Sequence, residues 1–212
     1  EAYNKALAIK PDFPEAHNNT GIALNGQGKL EEAILAYKKA ISIKPDFAEA
    51  FTNMGSALKE QGKLDEAIEA HDKAIAIKPD FPEAHNNMGI ALNGQGKPEE
   101  AIEAYNNALA IKPDFPEAHN NMGNVFNQKG EAAKALEAFK NALSIDPNYS
   151  EAHNNMGLAF IAQGKTKEAI EAHNKAILLN PDSCEAHLNL GFAKLKTEQW
   201  QDGIELQKWR WK

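Results

Sequence analysis

Six prolines, Pro11, Pro45, Pro79, Pro113, Pro147 and Pro181, stand 34 residues apart without a slip. A period of that length confines the chain to architectures that stack one supersecondary unit on copies of itself, since a single short unit cannot bury its own apolar face. The surrounding segments agree closely, as in "PEAHNNTGIALNGQGKLEEAILAYKKAISIKPDF" from Pro14 and "PEAHNNMGIALNGQGKPEEAIEAYNNALAIKPDF" from Pro82. With the proline numbered 32 in each unit, five complete units run 14–47, 48–81, 82–115, 116–149 and 150–183. Residues 1–13 read as the second half of a preceding unit and 184–212 as most of a following one, so 1–212 is a single array.

Each unit reads as two helices. In 82–115 the first carries Ala84, Met88, Ala91 and Leu92 at helical spacing, and the second carries Ala101, Ala104, Tyr105, Ala108 and Leu109. The start Asp80-Phe81-Pro82-Glu83 suggests an acidic cap with Glu three residues later and Pro in the first turn. Gly94-Gln95-Gly96 ends the first helix, because glycine takes the left-handed conformation of a tight turn. Pro98 sits in the first turn of the second helix, where a missing N–H costs little, and Pro113 stops it. Ala, Glu, Lys, Asn, Ile and Leu dominate the composition, with little Val or Thr, which predicts an all-α protein.

The residues His85-Met88-Gly89-Leu92, Ala101-Tyr105, Ala108 and Pro113 resemble the tetratricopeptide pattern W-x-x-L-G-x-x-Y, A-x-x-x-F, A, P, with His in place of the aromatic at the fourth position. The match recurs in register over essentially the whole chain. It implies an α-solenoid, a right-handed superhelix of stacked antiparallel helix pairs whose first helices line the concave wall. By the same resemblance, positions 2, 5, 6, 9, 12 and 13 of each unit face that wall.

Position 6 is Asn19, Asn53, Asn87, Asn121, Asn155 and Asn189 without exception, and position 5 is Asn18, Thr52, Asn86, Asn120, Asn154 and Leu188. Position 2 is always glutamate (Glu15, Glu49, Glu83, Glu117, Glu151 and Glu185), and position 9 varies. An asparagine amide both donates and accepts, so it pairs with a peptide unit as another backbone would. Units roughly 10 Å apart would meet about every third residue of an extended peptide at about 3.3–3.6 Å each. This resembles the asparagine ladder of O-linked N-acetylglucosamine transferases, which holds substrate backbones irrespective of side chain. At about 0.5–1.5 kcal/mol per amide pair, six give roughly 3–9 kcal/mol, and association costs of about 4–15 kcal/mol offset most of it. The expectation is weak, permissive binding of a protein or extended peptide, with selectivity from position 9. Two further readings stand beside it: the asparagines bond to the neighbouring helix and hold the repeat pitch, and the glutamates cap helix N-termini.

Other activities find little support in the residues. Position 5, 2 and 6 residues are Asn, Thr, Leu and Glu, whereas a clamp for a carboxylate-terminated tail needs Lys or Arg there. His17, His85, His119, His153 and His187 at position 4, and His71 and His173 at position 24, recur too far apart for one zinc ion and read as packing residues. Gly164-Lys165-Thr166 lacks the glycine five residues earlier that a phosphate loop needs; Ala159 stands there. No motif fixes a catalytic set, so neither enzyme activity nor a cofactor is expected. The net charge of −7 argues against nucleic acid as a partner. Cys184 is the only cysteine and no apolar run approaches 18 residues, which fits a cytoplasmic chain without a membrane span.

At the carboxyl end, Gly203 replaces the small alanine, and Trp209 and Trp211 lie two apart, so they cannot share one helix face. The ending "GIELQKWRWK" resembles the G-W-x-x-Y-E-W-R-W segment that closes the repeat region of bacterial glycosyltransferase-like proteins. An alternative function follows from that resemblance: the substrate-recognition arm of a larger enzyme. Both ends are expected to expose apolar surface, which predicts end-to-end self-association.

Overall fold

The computed structural model describes residues 10–197 and 200–211, of which the side chains of 210 and 211 are excepted. Most of the half-unit 1–13, and the side chain of Trp211, therefore lie outside the described residues. The rest is all-α: α1 Pro14–Asn25, α2 Leu30–Ile43, α3 Ala48–Glu60, α4 Leu64–Ile77, α5 Pro82–Gly94, α6 Pro98–Ile111, α7 Pro116–Gln128, α8 Ala132–Ile145, α9 Ser150–Ala162, α10 Thr166–Leu179, α11 Cys184–Lys196 and α12 Trp200–Gln207. A 3-10 turn, Lys208–Trp211, follows α12. The first six helices belong to one compact unit, residues 1–113, and the last six to a second, residues 114–212. In both, successive helices pair into hairpins, and each hairpin packs on the next to form a helical-repeat solenoid. Among the described residues no helix is long and apolar enough to cross a membrane.

Small residues recur wherever helices meet. Ala33, Ala67, Ala101, Ala135 and Ala169 are fully buried, as are Ala40, Ala74, Ala108, Ala142 and Ala176. Between the helices of each complete hairpin lies one large ring: Tyr37, His71, Tyr105, Phe139 and His173 are all at most 2% exposed. A glycine faces each ring. A Cβ added at Gly89 would stand 2.6 Å from Tyr105 Cε1, and one at Gly123 2.6 Å from the same atom of Phe139. The glycine therefore makes room for the ring, and the ring fills the space that close packing requires.

The turn inside each hairpin is set by a second glycine. Gly96 has φ +76°, a conformation that side chains rarely adopt. The Lys97 N–H then bonds back to the Leu92 carbonyl at 3.0 Å, which satisfies one of the last orphan carbonyls of α5.

The helix starts differ from the sequence expectation. The residue before α5 that holds the cap position is Phe81, and no side chain caps this helix. Asp80 lies one residue too early; instead the Ala84 and His85 N–H groups bond to the Phe81 carbonyl at 3.1 and 3.3 Å. The equivalent Phe47 and Phe115 are buried, so an apolar anchor stands where a polar cap was expected. Ser183 is the exception, its side chain accepting from the Ala186 N–H at 3.3 Å.

The histidines of position 4 have a specific task. Nε2 of His17, His85, His153 and His187 lies 2.8, 3.0, 3.0 and 2.9 Å from the carbonyl oxygen of Pro11, Pro79, Pro147 and Pro181 respectively. A carbonyl only accepts, so Nε2 donates, and each bond ties the end of one repeat to the first helix of the next. His85→Phe, which keeps a ring but no donor, is expected to lower stability by about 0.5–1.5 kcal/mol in urea denaturation. An unchanged midpoint would show that packing alone holds the junction.

Candidate peptide-binding face

The paired asparagines lie one turn into the first helix of each hairpin. Position 5 points inward: Asn18, Thr52, Asn86, Asn120 and Asn154 are buried. Position 6 lies nearer the surface, with Asn19, Asn53, Asn87, Asn121 and Asn189 half-buried and Asn155 buried.

These two rows are hydrogen-bonded to each other across neighbouring repeats. Asn53 Nδ2 donates to Asn18 Oδ1 at 3.0 Å, Asn155 Nδ2 to Asn120 Oδ1 at 3.1 Å, and Asn189 Nδ2 to Asn154 Oδ1 at 3.1 Å. Where Thr52 replaces asparagine, its hydroxyl turns to the Ala48 carbonyl, and Asn87 Nδ2 goes instead to Ser56 Oγ at 3.4 Å. Asn86 Nδ2 lies 3.4 Å from Asn87 Oδ1, and Asn121 is engaged as well.

The glutamates of position 2 divide. Glu151 accepts from Asn120 Nδ2 at 3.0 Å and Glu185 from Asn154 Nδ2 at 3.1 Å, which extends the network by one member in each case. Glu49 lies 3.7 Å from Lys78 Nζ. Glu83 and Glu117 are placed in the first turns of α5 and α7, where a carboxylate favours the positive helix end. Position 9 is open at two places, Ile22 at 48% and Phe192 at 52% exposure.

Two partners of the asparagine rows escaped sequence reasoning. Tyr149 OH lies 3.4 Å from Asn120 Nδ2; burial, then the charges of Glu151 and Glu117, push its phenol well above the usual range. His173 Nδ1 lies 3.0 Å from Asn154 Oδ1, so Nδ1 carries the proton and donates. Tyr149 stands where Phe47, Phe81 and Phe115 stand in the earlier repeats, and His173 shares its repeat position with Tyr37, His71, Tyr105 and Phe139, so neither position by itself signals a bond to asparagine. At the carboxyl end, Trp209 stacks on His187 with centroids 3.8 Å apart and planes 6° from parallel, and its carbonyl accepts from the Cys184 thiol at 3.0 Å.

The family model of the TPR repeat matches residues 23–62, 55–96, 92–130, 123–164 and 157–197, and a second tetratricopeptide repeat model matches 2–35. The chain is a tetratricopeptide repeat protein. No curated protein matches this tetratricopeptide array. Among solved structures it is similar to a chain of the APC/C hetero-tetramer Cut9–Hcn1, at 20% identity and a TM-score of 0.84, over 97% of the array and 42% of that chain. It thus spans less than half of that relative's length. It is similar also to PilF of Pseudomonas aeruginosa, at 20% identity and a TM-score of 0.80 over 97% and 90% of the two chains. A third likeness is to YrrB, described as a TPR protein with an unusual peptide-binding site, at 23% identity and a TM-score of 0.63 over 94% and 98%. At these identities the likeness concerns the fold. As a tetratricopeptide array, the protein is a protein-interaction scaffold.

Proposed function

We propose that the scaffold binds extended peptide segments along the asparagine-bearing helices, reading backbone rather than side chains. The observation that carries this reading is the way the two rows restrain each other. An amide side chain has two donor hydrogens and an acceptor oxygen. In Asn53, Asn155 and Asn189 one hydrogen holds the neighbouring repeat. The bond fixes the rotamer and leaves Oδ1 and the second hydrogen in a set orientation. Side chains restrained in advance lose less entropy on binding, roughly 0.5–1.5 kcal/mol less for each side chain. Structural and recognition roles therefore coincide in the same amides.

The test separates the two roles. Asn53, Asn155 and Asn189 are changed together to Ala, and binding to a library of unstructured peptides is followed at a temperature where circular dichroism shows the variant folded. Loss of three amide pairs at about 0.5–1.5 kcal/mol each predicts peptide affinity weaker by about tenfold to a thousandfold. A folded variant that binds peptides as the wild type does would leave these asparagines a purely structural role.

A further inference from the structure

Asp72, Glu100 and Glu103 rim a cleft that lies away from the asparagine rows, and nothing within the described chain neutralises them. The cleft, of about 320 Å³, opens between α4 and α6 and is floored by Ile75, Met88, Leu92 and Ala104. On α5 the lining residues His85, Met88 and Leu92 fall on one face, since each residue turns the helix by about 100°. By the same count Asn87 and Ile90 point roughly half a circle away, so the cleft belongs to the opposite wall of these repeats.

The rim is exposed while the floor is partly or fully buried. Burial and the neighbouring Glu69 raise the Asp72 carboxyl above its ordinary value.

The repeats supply their own comparison. One repeat earlier, Lys38 stands at the place of Asp72 and Lys73 at the place of Asn107, beside Glu66 and Glu69. There Lys73 Nζ pairs with Glu69 at 2.7 Å. Between α8 and α10 the same places hold Lys140 and Lys175, beside Glu168 and Glu171. In the last hairpin Asp202 pairs with Lys194 and Glu205 with Lys208, at 2.8 and 2.5 Å. The cleft at Asp72 keeps the acidic positions and replaces both lysines, one by an acid and one by asparagine. No ion pair of Asp72, Glu100 or Glu103 occurs among the described residues.

From this we infer that the cleft between α4 and α6 is a second binding site, which takes a basic side chain, arginine or lysine, from a partner peptide. The alkyl stem of such a side chain lies on Met88 and Leu92 while its charged head reaches the carboxylates, as long cationic side chains do on apolar surfaces. The partner supplies in trans the cation that other repeats carry in cis.

The test titrates the full chain, with its methionine methyls labelled for NMR, with an unstructured Gly-Ser peptide bearing one arginine, and with the same peptide bearing uncharged citrulline. The expected result is a saturable shift of the Met88 methyl resonance with the arginine peptide, weakened by added salt and at least tenfold weaker with citrulline. Asp72→Lys/Asn107→Lys, which installs the lysines that other repeats already tolerate, is expected to abolish the shift while leaving the fold intact by circular dichroism. The triple asparagine variant is expected to keep it, so this site and the asparagine face succeed or fail separately. Equal binding of arginine and citrulline peptides would overturn the inference in favour of a plain apolar groove. A Met88 shift that follows protein concentration without peptide would overturn it in favour of a second copy of the chain. No shift at all, or an unchanged shift in the double lysine variant, would also reject it.

Discussion

Acidification from pH 6.5 to 4 is expected to destabilise both compact units by roughly 3 kcal/mol each, through His71 in the first and His173 in the second. Burial lowers the imidazole of each to about 4 from an ordinary 6.5, with Lys59 adding to the effect at His71. The sign follows from proton counting. Between the folded and unfolded values the unfolded chain binds more protons, so stability is complete above about 6.5, falls with pH, and levels off below about 4. Denaturation midpoints measured across this window give the slope. Replacing both histidines by Phe, the residue that Phe139 already supplies at the same place, is expected to flatten the curve and to raise stability at pH 4.5 relative to the wild type. A slope that survives in this variant would assign the acid sensitivity to other groups.

The second large effect concerns Gly89, where two physical terms oppose each other. Helix propensity alone predicts that Gly89→Ala stabilises α5 by about 1 kcal/mol. The added Cβ would meet Tyr105 Cε1 at 2.6 Å, well inside contact distance, and Tyr105 is only 2% exposed. Overpacking of a filled core costs about 1–3 kcal/mol, and here it falls on a ring gripped between two helices, so a loss near the upper figure is expected. Tyr105→Ala alone opens a cavity and is expected to cost about 3–5 kcal/mol. When both changes are made together, the new Cβ on α5 enters the space the ring leaves, so the two losses do not add. A coupling above about 1 kcal/mol in a urea double-mutant cycle confirms the steric account, whereas additive losses would contradict it.

Much of this was legible in the residues. Each second helix from α2 to α10 ends two residues before a proline of the 34-residue series, and the glycine at each hairpin turn, the small residues and the second-helix stripe all occupy the places that simple helix rules assign. The helix starts were misread because Asp80 and Glu83 stand at capping-box spacing, while the backbone places Phe81 at the cap. That choice follows from burial of an aromatic, which local rules do not weigh against a polar cap. The asparagine rows show a different limit. The sequence displays both rows and admits either role, but the bond from Asn155 to Asn120 spans 35 residues and depends on how far one first helix is displaced along the next. Spacing along the chain does not contain that displacement. The unneutralised cleft at Asp72 needed both kinds of information: the repeat register to show which lysines are missing, and the fold to show that their places adjoin.

The ties from histidine to proline carbonyl described for His17, His85, His153 and His187 have no counterpart in the second complete repeat. At the fourth position of the second complete repeat stands Phe51, buried at 9%, which has no donor to offer Pro45. The seam between α2 and α3 is therefore joined there by apolar contact, including the cluster of Ala40, Phe47 and Ala50 with Ile41 packed against it. Apolar burial loses strength as water cools, and the Phe51 seam has no hydrogen bond from this position beside it. The seams along the first unit thus carry different thermal coefficients. Near freezing, the order in which its hairpins come apart is biased toward parting at Phe51, and warming moves that bias back toward the histidine seams.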